Sequence, residues 1–420
     1  MKEESNFVHR KLENGLEVAA EILPCAKSLS IAFFVRCGSR DETPEVSGIS
    51  HFLEHMIFKG SSSRSAQDVN REFDSLGISF NAGTSLESTI FYAMLLPEYL
   101  EECLALYADI LRPIIREDDF VSEKEVILEE IGMYENEPPY CVDDRLRQKF
   151  FNGHPLGNPV LGSSQSVKRL KSSQLQSWIQ EKYAPKNITL CACGNVDFEQ
   201  LVILAEKYCG QWENPPEKEG LISPVLKTAE FLPKLGFESF SQRQAARQYF
   251  LSCGPFWAKG YRERLACRLI SSILGGDVSS RLYWEFVDSG RAGYADLVYS
   301  QFSDAGYFST SLACEPEDAS ENWRRLEKIY RGAEDGDISE RELSLAQNRI
   351  ATAVVLDSEK AWERIFSMGA EWTSVREYHS AEEEVETLRS ITLEEINRVL
   401  EKKPLTQALT FCFGPKKIRF

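Results

Sequence analysis

The most informative pattern in the chain is Ser47-Gly-Ile-Ser-His-Phe-Leu-Glu-His-Met-Ile-Phe-Lys-Gly60. On a helix of 3.6 residues per turn, His51, Glu54 and His55 fall on one face. Gly60 follows as a suitable end of that helix. The opposite face carries three apolar side chains, which are Ile49, Leu53 and Met56. The segment therefore predicts an amphipathic helix that packs one side against a core and presents two imidazoles and a carboxylate on the other.

This ligand face has the chemistry of a catalytic zinc site. Histidines four positions apart can each place one nitrogen on a single tetrahedral Zn²⁺. Zinc lowers the pKa of its bound water to about 7, and Glu54 between the histidines can then accept the proton as general base. The order His-x-x-Glu-His is itself a zinc-peptidase signature. The chain has only five histidines, so a chance match is expected in about one such chain in a hundred or fewer.

A catalytic zinc of this kind needs a third protein ligand, commonly a carboxylate. The candidate region is 118–135, which begins with residues typical of a helix start. Glu123 and Glu130 share one face of the predicted helix, two turns apart. Burying two stacked carboxylates is costly unless they meet a cation or hydrogen-bond donors, so both are candidates. Glu125 and Glu129 fit a solvated acidic face better.

Together with the zinc-site segments, Asn81-Ala-Gly-Thr-Ser85 and His154-Pro-Leu-Gly-Asn-Pro-Val-Leu-Gly162 resemble the pitrilysin family of inverted-motif metallopeptidases. The closest resemblance is to short members related to mitochondrial processing peptidase. It implies that Glu130, which lies 75 positions after His55, is the third zinc ligand. It also implies that Glu123 supports the ligands without touching the metal. The strand at Asn81 and Ala82 is expected to pair with the substrate backbone, which favours extended peptides.

The chain also carries signs of an internal duplication. Helical and strand patterns alternate, which indicates a mixed α and β fold, and the proline-rich polar stretch 212–225 predicts a linker. We predict an α+β protein of two homologous domains, 1–211 with the zinc site and 226–420 without one, each a mostly antiparallel sheet with helices on one face. Three pairs of segments match at offsets of 217, 218 and 220 residues, which are Val121–Glu125 with Ile338–Glu342, Leu170–Leu175 with Leu388–Leu393, and Thr189–Gly194 with Leu409–Gly414.

The segments 275–287 and 293–294 resemble the family's second-half motif, in which an arginine and a tyrosine reach the substrate and the developing oxyanion. Tyr294 matches the tyrosine, but Val287 stands where the arginine is expected. A missing oxyanion donor raises the barrier by about 2.7–4 kcal/mol if nothing replaces it. We expect Arg291 or Arg281 to substitute, and alanine variants of both test this.

The amino-acid composition limits the kinds of binding partner and the cellular location that we expect. The formal net charge of −17 argues against nucleic acid as a partner, because phosphate binding needs a basic surface. The charged N-terminus predicts a cytoplasmic protein, and the apolar runs are too short to span a membrane. Eleven scattered cysteines fit reduced thiols. His9 and His379 are expected to have no ligand-like neighbours and to be structural or exposed, whereas the resemblance implies that His154 shapes the site.

These observations predict a zinc-dependent endopeptidase that hydrolyses extended or unfolded peptides inside a closed chamber. The family resemblance implies that the two halves close like a clamshell, and that the chamber is completed as a homodimer or a heterodimer with a related subunit. One alternative is a non-catalytic family member that acts as a scaffold or peptide-binding subunit, which the missing arginine favours. Another is a zinc amidohydrolase, which would not need the substrate-pairing strand at Asn81.

Overall fold

The computed structural model describes residues 6–216, 232–242, 245–276 and 278–418. Most of the predicted linker, from residue 217 to 225, therefore lies outside the described residues. No helix in the described ranges has both the length and the apolar character needed to cross a membrane.

The chain divides into two compact units, each assembled from three separate segments. The boundaries do not follow the predicted limits at 211 and 226 alone, because each unit also takes a segment from the other half of the sequence. The limits 1–211 and 226–420 refer to the two copies of the duplicated sequence, and for those copies they stay a prediction. The first unit comprises Met1–Met133, Asn158–Leu226 and Leu356–Ser380, and the second comprises Tyr134–Gly157, Lys227–Val355 and Ala381–Phe420.

The first unit is built on a six-stranded sheet, whose strands are β1 (Phe7–Lys11), β2 (Glu17–Ile22), β3 (Leu29–Val35), β4 (Ser79–Thr84), β5 (Thr89–Leu95) and β6 (Ile188–Gly194). Their order is β1-β2-β6-β3-β5-β4. Among the described strands of this sheet, only β2 and β6 pair in parallel. Every residue of β3 and β6 is buried, which explains their nearly continuous apolar sequences. At the edge of the sheet, β4 alternates between exposed and half-buried residues.

The second unit is built on a five-stranded sheet, whose strands are β7 (Gly236–Ser241), β8 (Gln248–Pro255), β9 (Ala292–Gln301), β10 (Gly306–Cys314) and β11 (Leu409–Gly414). Their order, β7-β11-β8-β10-β9, repeats the order β2-β6-β3-β5-β4. The parallel pair recurs as well, since β11 pairs with β7 in parallel. The predicted duplication is therefore confirmed, and the matched segments at Thr189 and Leu409 are the equivalent strands β6 and β11.

Helices connect and cover the strands of both units. In the first half of the sequence they are α1 (Ile49–Ile57), α2 (Ala66–Ser75), α3 (Leu100–Ile110), α4 (Glu117–Asn136), α5 (Tyr140–Phe151), α6 (Ser164–Arg169), α7 (Ser172–Lys182) and α8 (Phe198–Cys209). In the second half they are α9 (Tyr261–Leu274), α10 (Ala319–Glu334), α11 (Glu340–Ser358), α12 (Ala361–Val375), α13 (Ala381–Ser390) and α14 (Leu393–Leu400). Short 3₁₀ turns span Ser39–Asp41, Pro97–Tyr99, Pro155–Gly157 and Pro185–Asn187, and a π-helix spans Tyr283–Asp288.

The helix predicted from the opening segment is α1. Its three predicted core side chains, Ile49, Leu53 and Met56, are fully buried, and each contributes about 1.5–3 kcal/mol by leaving water. Gly60 follows with φ +106°, and a Cβ there would lie 2.2 Å from the carbonyl oxygen of Arg64. Only glycine fits this turn without strain.

Helix α12 covers the face of the first sheet opposite α1. Alternate residues of β3 point to the two sides, so Phe33 packs in the core with α1, whereas Phe34 packs with Ile365 and Met368 of α12. The sequence predicted helices on one face only. Helix α12 comes from the far half of the sequence, and no local pattern indicates which sheet it covers. The ten cysteines whose side chains are described are free thiols, and all except Cys25 are buried.

Candidate metal centre

Three predicted ligands converge beside the first sheet. The helical spacing of α1 places His51 and His55 on one face, and α4 brings Glu130 to it. The Oε2 atom of Glu130 lies 3.8 Å from the Nε2 atoms of both His51 and His55. One ligand atom from each of the three residues lies within 4.8 Å of the other two.

The donor set fits a zinc ion. Two imidazole nitrogens and one carboxylate oxygen are the ligands of the His₂Glu catalytic sites, which leave a fourth position open. Burial, and then the charge of His55, lower the pKa of His51 to about 3. His51 is therefore a neutral imidazole at neutral pH, which is the form that binds a metal.

His55 has a different environment from His51. Its Nδ1 lies 2.8 Å from Oε1 of Glu123, whereas the buried Nδ1 of His51 has no hydrogen-bond partner among the described residues. Burial acts to lower the pKa of His55, but the hydrogen bond and charge of Glu123, with Glu54 and Glu130, raise it overall. The surrounding carboxylates thus favour a cation at this position.

The structure separates the two carboxylates that the helical pattern left as alternatives. Glu130 faces the Nε2 atoms, while the buried Glu123 contacts the far side of the His55 ring and forms an ion pair with Lys59. Burial acts to raise the pKa of Glu123, but hydrogen bonds from His55 and Lys59 bring it below the ordinary value. Glu125 and Glu129 are exposed, as predicted.

Glu54 lies beside the three converging donors without being one of them. Its Oε2 accepts a hydrogen bond of 2.7 Å from Oγ1 of Thr84 at the end of β4. Burial raises the pKa of Glu54, although Thr84 and His55 act in the opposite direction. A carboxylate with a raised pKa is suited to general base catalysis near neutral pH. The role of Thr84 was not predicted, because no local pattern shows that its strand reaches α1.

Asn81 and Ala82 lie on β4, where they pair with Tyr92 and Phe91 of β5. In the described sheet β4 has a strand on one side only. Asn81 is exposed, while Ala82 packs against the core that also contains α1. The outer edge of β4 therefore offers backbone groups to an added strand.

The start of α1 is held by a residue that the sequence analysis missed. The helix begins after Gly48, which has no side chain to cap it. The carboxylate of Glu42 instead accepts hydrogen bonds from the backbone N–H groups of Gly48, at 2.6 Å, and Ser50, at 2.8 Å. Burial raises the pKa of Glu42 to about 8 despite these two donors. Its separation from the helix in sequence conceals this cap.

Tyr294 lies in the second unit, on the edge strand β9. It is half exposed, and its hydroxyl donates a hydrogen bond of 2.9 Å to Oδ2 of Asp296. Burial, followed by this contact with Asp296, raises the pKa of Tyr294 to about 12. Its predicted contact with the oxyanion stays a prediction.

Val287 stands where the family arginine is expected, and the two arginines expected to replace its function have different ion-pair partners. Arg281 forms ion pairs with Asp337, at 2.6 Å, and Glu342, at 2.7 Å. Arg291 is more exposed and has a longer contact with Glu285, at 3.7 Å. Val287 itself packs against the core of the second unit. Arg291 could therefore leave its acidic neighbour for a substrate more easily than Arg281 could.

Two other histidines have acidic neighbours. Nε2 of His154 lies 3.5 Å from Oδ2 of Asp304 in the second unit, and its predicted role in shaping the site stays a prediction. His379 lies with Glu371 and Glu377 in a group whose ligand atoms could hold a cation. The expectation that His379 lacks ligand-like neighbours was wrong, because Glu371 reaches it from the preceding helix, α12.

The duplicated α+β fold carries the sequence His-x-x-Glu-His in only one of its two copies. This combination is the architecture of an inverted-motif metallopeptidase. Residues 17–164 match the family described as Insulinase (Peptidase family M16), and residues 169–350 match the Peptidase M16 inactive domain. An uncharacterized zinc protease of Mycobacterium tuberculosis is 33% identical over 397 residues, which cover 92% of this chain and 88% of that protein. The chain belongs to peptidase family M16.

Other relatives support this assignment. The uncharacterized zinc protease YmxG of Bacillus subtilis is 27% identical, with 92% of each chain covered. A solved structure of a protease from Helicobacter pylori shares the fold, with a TM-score of 0.91 at 21% identity over 98% of this chain and 100% of that one. The predicted resemblance to the inverted-motif family is confirmed, and this chain is a short, two-domain member.

Proposed function

We propose that this protein is a zinc-dependent endopeptidase that hydrolyses extended or unfolded peptides. The observation that carries the proposal is the convergence of His51, His55 and Glu130, with Glu54 held beside them by Thr84. A site that only bound a structural metal would not need this additional, oriented carboxylate. The names of the relatives, which are called zinc proteases, support the same function.

Each residue has a role in peptide hydrolysis. A zinc ion held by His51, His55 and Glu130 would act as a Lewis acid and lower the pKa of a water molecule. Glu54 accepts the proton of the attacking water and passes it to the leaving amine nitrogen as the C–N bond breaks. The hydrogen bond from Thr84 to Oε2 orients the Glu54 carboxylate for this proton transfer.

The substrate class follows from the edge strand. Backbone hydrogen bonds to β4 at Asn81 and Ala82 select a segment in extended conformation and tolerate many side chains. Folded proteins rarely present such a segment, so unfolded polypeptides and peptides are the expected substrates. We propose that Tyr294, with Arg291 in place of the missing arginine, stabilises the oxyanion. The closed chamber, a homodimer or heterodimer and a cytoplasmic location are further proposals, supported by the family resemblance.

The test compares wild-type protein with Glu54→Gln in zinc analysis and in cleavage of a quenched-peptide library. We expect zinc in both proteins, and a loss of about 10²–10⁴-fold in kcat for Glu54→Gln. Glu129→Gln is the matched control, because Glu129 is exposed on α4. Zinc binding without any Glu54-dependent cleavage would instead support the peptide-binding scaffold, an alternative favoured by the ion pairs that occupy Arg281.

A further inference from the structure

Lys59 lies just beyond the end of α1 and completes a chain of contacts to the candidate metal centre. Its ammonium group forms an ion pair with Oε2 of Glu123. The other carboxylate oxygen of Glu123, Oε1, lies 2.8 Å from Nδ1 of His55. Both oxygens of this buried carboxylate therefore have a charged or polar partner.

Lys59 is itself held in place by the backbone. Its N–H donates to the carbonyl of Met56 at 3.1 Å, and its own carbonyl accepts a hydrogen bond of 3.2 Å from Nη1 of Arg116. Arg116 directly precedes α4, the helix that carries Glu123 and Glu130. The ion pair thus belongs to a set of contacts that joins the end of α1 to α4.

The same two helices are also joined by an aromatic contact. The rings of Phe52 on α1 and Phe120 on α4 stack with centroids 4.8 Å apart. This contact joins the two helices through Phe52, the residue after His51, whereas Glu123 joins them through His55 and Lys59. Together these contacts hold α4, which carries Glu130, against α1, which carries His55.

We propose that Lys59 is a positioning residue that raises the affinity of the centre for Zn²⁺, an inference that rests on the metal site of the proposed function. With Oε2 of Glu123 held by Lys59, Oε1 stays directed at Nδ1 of His55. The imidazole then presents Nε2 beside Glu130. Partners that orient a histidine ligand through its second nitrogen commonly change metal affinity by about 10–100-fold when removed.

The direction of the change in Zn²⁺ affinity when Lys59 is replaced distinguishes positioning from charge repulsion. A lysine near a dication repels it, so removing the positive charge should strengthen zinc binding if repulsion dominates. Loss of positioning should weaken zinc binding. Lys59→Met therefore gives opposite results under the two explanations.

The experiment measures the Kd for Zn²⁺ by competition with a chelator. We expect Lys59→Met to bind Zn²⁺ about tenfold more weakly than wild type, and Lys59→Arg, which retains the charge, to stay within about threefold of it. Lys207→Met is the matched control, because Lys207 forms an exposed ion pair with Glu101 in the same unit. Thermal unfolding of each metal-free protein checks the fold, and Lys59→Gln replaces Lys59→Met if the latter does not fold.

A double-mutant cycle tests the route through Glu123. In a Glu123→Gln background, Lys59→Met should cause no further loss of Zn²⁺ affinity. Unchanged or tighter binding by Lys59→Met, or an equal loss in both backgrounds, would overturn the inference while leaving the peptidase proposal intact. Absence of Zn²⁺ binding by the wild type would overturn both.

Discussion

Five strands of the first sheet follow the same order as the five strands of the second, yet only the first sheet lies beside a predicted zinc site. Helix α1 follows β3 and carries two histidines, whereas α9 follows β8 and carries none. At the 217-residue offset that relates the matched parts of α4 and α11, Glu130 corresponds to Gln347. Nε2 of Gln347 donates to the carbonyl of Ile391 at 2.8 Å. The fold is therefore compatible with either a ligand or a structural amide at this position, and the site is an addition to the fold.

The carboxylates near these positions differ in environment as well. Glu123 is buried between His55 and Lys59, while Glu340, at the same offset, is exposed. Two similar helical sequences thus place equivalent carboxylates in a buried network and in water. The environment of each carboxylate therefore depends on the helix packed against it, which is α1 in the case of Glu123, as well as on the sequence of α4.

The largest expected effect, on zinc affinity, comes from replacing Glu130 of α4 with glutamine, the residue at the corresponding position of α11. Glu130→Gln should lower zinc affinity by more than about 100-fold, because the change removes the charge from a ligand that faces both imidazoles. Zinc content after dialysis and the competition Kd measure this. Glu129→Gln should behave as wild type, and full zinc occupancy in Glu130→Gln would remove Glu130 from the site.

Zinc should stabilise the two units unequally. A ligand at 100 times its Kd adds about 2.7 kcal/mol to the free energy of unfolding of the part that binds it. Hydrogen exchange with and without Zn²⁺ should show added protection in α1 and α4 and none in α9 and α11. Equal protection in both units would contradict a single site.

The third comparison is between β4 and β9, the corresponding edge strands of the two sheets. Thr84 of β4 donates a hydrogen bond to Glu54, whereas β9 belongs to the sheet without a predicted zinc site. Thr84→Val should lower kcat about tenfold or more, because a hydrogen bond to a charged group is worth about 1.5–3 kcal/mol. Zinc content should not change. Thr84→Ser should restore most of the activity, and Ser79→Ala, at the exposed start of β4, is the control. A Thr84→Val enzyme with wild-type kcat would show that this bond does not position Glu54.

The smallest effect concerns how the two helices begin. Helix α1 is capped by the distant Glu42, whereas near the start of α9 Glu263 accepts a bond of 2.6 Å from the N–H of Lys259. Glu42→Ala should lower the free energy of unfolding by about 1 kcal/mol, as for other lost caps, in denaturant titrations. Glu263→Ala should cost less because Glu263 is only partly buried.

The pKa of Glu42 adds a pH dependence to this prediction. Because the pKa of Glu42 is raised from an ordinary value of 4.5 to about 8 in the folded protein, ionising Glu42 opposes folding. Its contribution is complete below pH 4.5 and is lost as the pH rises to 8. Glu42→Gln should therefore remove a decline in stability over that range, and an unchanged decline would exclude Glu42 as its source.

The sequence by itself determined the features that depend on local periodicity and on spacing. The apolar and ligand faces of α1 and the shared face of Glu123 and Glu130 follow from the side-chain repeat of a helix. The duplication was visible because it repeats similar segments at a nearly constant offset.

Only the tertiary structure decided which partner each of these groups meets. It separated Glu130 from Glu123, brought Thr84 to Glu54 and Glu42 to the start of α1, and packed α12 against the first sheet. Each of these contacts joins residues on different elements of the chain. Hydrophobic periodicity shows which face of an element is buried, but the contact partner depends on how the whole chain packs.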